Sequence, residues 1–91
     1  MPDIKTAFES IGAVRKILEP YEYLPDAAMA IKGLDEAKEL LRNPTEENIK
    51  AILERMRGWE EMLEPYKAWV PDIVMDILRQ TAKLRTALTE E

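Results

Sequence analysis

Four stretches of the chain place apolar residues three and four positions apart, the spacing of a helix with one buried face. In the first, Ile4, Phe8, Ile11, Val14 and Leu18 form a stripe with Ala7 beside it, and Glu9 falls on the opposite side. This predicts a helix from Asp3, whose carboxylate can cap it, to Leu18. In the second, Ala27, Ala30, Ile31, Leu34, Ala37 and Leu41 predict a helix from Pro25 to Arg42. In the third, Ile49, Ile52, Leu53, Met56, Trp59 and Leu63 predict a helix from Pro44 to Leu63. In the fourth, Val74, Ile77, Thr81, Leu84 and Leu88, with Ile73 at the edge, predict a helix from Pro71 to Leu88. Thr89-Glu90-Glu91 should fray beyond it. No stretch alternates in the manner of a β-strand.

Proline divides these stretches. Pro20 and Pro65 should stop the first and third helices, because proline disfavours the α conformation in the residue before it. Pro25 and Pro71 suit a first helical position, where a missing N–H costs nothing. Asp26 and Asp72 follow them, placing negative charge near the positive end of the helix dipole. Between the second and third helices, Asn43 reads as an N-cap with Glu46 as its reciprocal partner, and Thr45 is the rival cap.

The two proline-rich links are related. Leu18-Glu19-Pro20-Tyr21 returns as Leu63-Glu64-Pro65-Tyr66, and Leu24-Pro25-Asp26 as Val70-Pro71-Asp72. A shift of about forty-five residues also superposes Ala7, Ile11 and Val14 on Ile52, Met56 and Trp59. A shared helical period could align the apolar positions, but it would not reproduce both motifs. The expected architecture is therefore all-α. It is one domain over residues 1–91, an antiparallel four-helix bundle built from two duplicated helical hairpins, about 3–42 and 44–88. Both proline elbows should then lie at one pole.

Composition narrows the chemistry. The chain has 91 residues, 46% hydrophobic and 34% charged, with a net charge of −5. Such an acidic surface disfavours sequence-independent binding to nucleic acid. Cysteine and histidine are both absent. This excludes disulfides, thiolate metal sites and thiol nucleophiles, and removes the usual general base. No apolar run approaches the roughly 20 residues of a membrane span. No secretory signal is visible at the N-terminus, so a cytoplasmic location is the expectation.

The elbow pole should collect Tyr21, Tyr23, Tyr66 and Trp69, with Glu19, Glu22, Asp26, Glu64 and Asp72 nearby. Aromatic faces beside carboxylates can hold a cation, including a partner's Lys or Arg. The plainer reading is that the rings cap the end of the core. Met29, Leu40 and Met75 fall off the buried stripes and form an apolar surplus suited to a partner or a second copy of the chain. Ile17 and Met62 sit at matched flanking positions. Gly12, Gly33 and Gly58 lie inside predicted helices, where they either admit a close neighbour or are merely tolerated.

Glu36-Ala37-Lys38-Glu39 and Glu61-Met62-Leu63-Glu64 are two Glu-x-x-Glu pairs. In outline they resemble the magnesium-binding pattern of all-α nucleotide pyrophosphohydrolases of the MazG type, which implies Mg²⁺ held by carboxylates. The second pair departs from that pattern by ending in Glu beside a proline. Glu36 and Glu39 also point away from the core stripe. Arg79, Lys83 and Arg85 suit the negative end of the last helix dipole. Taken together, the residues point to a non-catalytic interaction module: an adaptor, small regulator or assembly subunit. It is expected to self-associate, or to engage another protein partner, and to use no cofactor and avoid membranes. The rival readings are a Mg²⁺-dependent phosphohydrolase using Glu36, Glu39 and Glu61, and a nucleic-acid regulator using the basic end of the fourth helix.

Overall fold

Four helices form where the apolar periodicity places them. The computed structural model describes residues 1–89, with α1 over Ile4–Leu18, α2 over Pro25–Leu41, α3 over Glu46–Leu63 and α4 over Pro71–Thr89. No strand forms among the described residues. Each helix packs against two neighbours: α1 and α3 both contact α2 and α4. The result is an antiparallel four-helix bundle, 37 Å long and about 20 Å across. Its radius of gyration is 12.5 Å, close to the roughly 12 Å expected of a compact chain this size. No described helix is long and apolar enough to cross a membrane.

The core follows the predicted stripes. Ile11, Leu34, Leu41, Ile52, Met56 and Leu84 are fully buried in one cluster. Two small residues outside the stripes, Ser10 on α1 and Ala87 on α4, are buried as well. They belong to the two helices that pack together most extensively. Small side chains let helix backbones approach closely, and burying them depends on that approach rather than on their own hydrophobicity. At the end of this pair the Asp3 N–H donates to the Ala87 carbonyl at 2.8 Å, tying the start of α1 to the last turn of α4.

The helix ends depart from expectation in physically clear ways. Asp3 is the N-cap of α1, accepting the Thr6 N–H at 3.1 Å and the Thr6 hydroxyl at 2.7 Å. These bonds hold its carboxyl below the usual aspartate range. Thr45, not Asn43, caps α3, and the helix begins at Glu46 rather than Pro44. The Thr45 hydroxyl accepts the Asn48 N–H at 3.1 Å. The Asn48 amide turns back to α2, donating to the carbonyls of Leu40 at 3.2 Å and Asn43 at 2.7 Å. Asn43 serves the end of α2 as a donor, its N–H bonding the Leu40 carbonyl at 3.2 Å. At the C-terminal end of α4, Thr89 is helical, its hydroxyl donating to the Arg85 carbonyl at 2.8 Å. The expected fraying of Glu90 and Glu91 lies outside the described residues.

The prolines act differently from a simple stop. Glu19 and Glu64 keep right-handed helical angles, φ −50° and ψ −45° for the first, φ −53° and ψ −49° for the second. The chain therefore tightens into a 3₁₀ turn, Glu19–Tyr21 in the first elbow and Glu64–Ala68 in the second. Proline sits in the first turn of each, where its missing N–H leaves no donor unsatisfied. Helix, 3₁₀ elbow and helix thus recur twice in the same order.

Matched positions in the two halves share burial at Ala7 and Ile52, at Ile11 and Met56, and at Ile31 and Ile77. They differ at others: buried Ser10 matches exposed Arg55, exposed Ala28 matches buried Val74, and exposed Asp35 matches buried Thr81. Between helices, Arg15 reaches Asp35 at 2.9 Å across α1 and α2, and Glu36 reaches Arg55 at 3.4 Å across α2 and α3. Arg85 pairs with Glu60 across α4 and α3. Asp35 and Glu19 together raise the Arg15 guanidinium above its ordinary value, so it stays charged.

Candidate functional site

Both elbows lie at one pole and enclose a cleft of about 420 Å³. A four-helix bundle closes its core only where its helices run side by side. Past Leu18 and Leu63 the helices give way to 3₁₀ turns, and the space between them is left to elbow side chains. Tyr21, Tyr23, Tyr66 and Trp69 all line this cleft, so the four aromatic candidates converge on one site. Met62, Leu63, Ala30, Ile73 and Ile77 supply the deeper apolar wall. The cleft falls within the 300–1,000 Å³ typical of ligand pockets, which combine apolar walls with a few polar groups.

The rings do more than cap the core. Trp69 is 82% exposed and Tyr23 79% exposed. Leu24 and Val70, each preceding a helix-opening proline, are exposed beside them. Tyr21 and Tyr66 are half-buried. The pole therefore presents an open apolar mouth rather than a sealed end.

One polar contact crosses the cleft. The Tyr66 hydroxyl, on the second elbow, donates to Asp26 Oδ2 in the first turn of α2. That bond keeps the proton on the phenol and raises the Tyr66 pKa above the ordinary tyrosine value, with burial and the Asp26 charge adding to the effect. Among the described residues, Asp26 is the one acidic residue in the cleft walls, and no Lys or Arg lines them.

The wider pole is acidic. Segments 18–26 and 63–72 hold five carboxylates against one ammonium, a net −4 out of the chain's −5. About a fifth of the residues thus carry four-fifths of the net charge. Part is locally compensated: Arg15 binds Glu19 at 2.9 Å and Lys67 binds Glu64 at 2.9 Å. Glu22 faces away from the cleft, into a shallow charged groove with Lys32, Asp35 and Glu39.

The remaining candidates lie elsewhere. Met29 and Met75 are 64% and 54% exposed and stand outside the cleft. Leu40 is half-buried and packs against the core near the α2–α3 turn. Ile17 joins the core margin, whereas its counterpart Met62 lines the cleft. The Glu-x-x-Glu pairs do not converge. Glu36, Glu39, Glu61 and Glu64 are all exposed, and no group of three or more acidic residues suited to a metal occurs among the described residues. On α4, Arg79 is paired with Asp76 at 2.9 Å and Arg85 with Glu60, which interrupts a basic stripe.

Sequence reasoning identified the aromatic residues and the carboxylates but not the Tyr66–Asp26 bond. The repeat alone did not signal it, because the matched residues Tyr21 and Asp72 form no corresponding bond among the described residues. Comparison with protein-family models, curated proteins and solved structures found no significant match.

Proposed function

We propose that this chain is a non-catalytic interaction module whose elbow pole docks an apolar, cationic segment of a partner protein. The observation that carries this reading is the open aromatic cleft set in the part of the molecule where the negative charge is concentrated. Exposed Trp and Tyr around a concave apolar site are typical anchors of protein interfaces. Surrounding charge of one sign steers an oppositely charged partner and rejects like-charged ones. A second copy docking pole to pole would set net −4 against net −4, so the charge distribution favours a different, basic partner over self-association through this surface.

The test is a titration with a Leu/Lys amphipathic peptide and a Leu/Glu counterpart, followed by two-dimensional NMR. The expected result is binding of the basic peptide alone, with shifts clustered at residues 18–30 and 62–77. Trp69→Ala should weaken it about tenfold, the effect of removing an interface anchor worth about 1–2 kcal/mol. Shifts spread along the outer faces of α1 and α3 would overturn the assignment.

A further inference from the structure

We propose that the Asp26–Tyr66 pair is a cation seat that receives the charged end of a partner's Lys or Arg side chain, whose alkyl stem lies in the aromatic cleft. This deepens the docking function and rests on it. The two groups sit on different elements, the first turn of α2 and the second elbow, and their hydrogen bond holds them together at the cleft wall. An ionised carboxylate has about four acceptor sites, and the Tyr66 hydroxyl occupies one of them on Oδ2. Oδ1 remains for a donor from outside.

The surroundings match that role. Tyr21, Tyr23 and Trp69 line the same cleft as the carboxylate, and aromatic rings attract cations. An alkyl stem with a charged tip buries its methylenes on apolar surface while the tip finds an acceptor. None of the chain's own Lys or Arg side chains lines the cleft. The N-terminus of α2 offsets only about half a unit of negative charge.

The probes are hexylammonium, which imitates the lysine side chain, 1-hexanol and hexanoate, each titrated by NMR into the full chain. Hexylammonium should bind on the order of tenfold tighter than 1-hexanol, the ratio a charged hydrogen bond supplies, and hexanoate more weakly than either. Asp26→Asn should remove most of the ammonium preference, since Asn can still accept from Tyr66 but carries no charge. Glu22→Gln removes the same charge outside the cleft and should leave the preference intact. Circular dichroism confirms that each variant is folded. Equal binding of hexylammonium and 1-hexanol would overturn the seat and leave the apolar cleft standing. Equal effects of the two substitutions would overturn it too, by assigning the preference to a diffuse field. Failure of all three probes to bind would overturn both the seat and the docking function.

Discussion

The three glycines separate into two kinds. A Cβ at Gly12 or Gly58 would meet nothing within 4 Å, whereas one at Gly33 would come within 3.0 Å of the Trp59 indole nitrogen. All three lie in helix interiors, where alanine is favoured by about 1 kcal/mol. Gly12→Ala and Gly58→Ala should therefore each raise the thermal midpoint by about 4–8 °C, measurable by calorimetry. Gly33→Ala should show little of that gain, because the indole must shift to admit the methyl group. Tyr66 offers a second residue-level check. It should ionise above the ordinary tyrosine value in an alkaline ultraviolet titration, and Asp26→Asn should bring it back toward that value. Its bond to Asp26 is fully present below the ordinary tyrosine pKa and is lost as pH rises through the raised value. Asp3 works in the opposite sense. Its depressed pKa makes the α1 cap complete above the ordinary aspartate pKa, and the contribution is lost as pH falls through the lowered value.

At the scale of elements, the helices and their buried faces could be read directly, because periodicity reports burial wherever large apolar side chains mark it. Ile11, Leu34, Ile52 and Ile77 are examples. Ser10 and Ala87 escaped that reading because small residues carry little periodic signal, and their burial depends on how closely α1 and α4 approach. Leu40 falls off the apolar stripe of α2, yet it leans on the core beside the turn that Asn48 organises. The role of Asn48 was itself illegible, since a side chain that serves the preceding helix leaves no trace in local pattern. Asn48→Ala should destabilise the fold by about 1–2 kcal/mol, mainly by leaving the partly buried Leu40 carbonyl without this donor. Asn48→Asp should cost more, because a carboxylate facing the Leu40 and Asn43 carbonyls offers no donor. Thr45→Ala should cost about 1 kcal/mol through loss of the N-cap. Chemical denaturation of the three variants ranks these effects.

Over the whole molecule, packing is uneven from one pole to the other. α1 and α4 are the most extensively packed pair, while the elbows surround an open cleft. Native-state amide exchange should follow that gradient. Residues 7–14 and 77–88 should exchange slowest, and 19–24 and 64–70 fastest. Slow exchange in the elbows would mean that the pole is sealed. The composition of the cleft could be read from the repeated Leu-Glu-Pro-Tyr motif, but its opening could not. How far the rings stand out depends on the 3₁₀ tightening after Leu18 and Leu63, which a proline allows but does not specify. The bond from Asp3 to Ala87 has one more consequence. Because those residues touch at the pole away from the cleft, a short Gly/Ser bridge could run from the end of α4 back to the start of α1 while the backbone is cut between Asn43 and Pro44. Such a circular permutant would present the helices in the order α3, α4, α1, α2, and it should retain the same cleft, since neither the new junction nor the new break lies near an elbow.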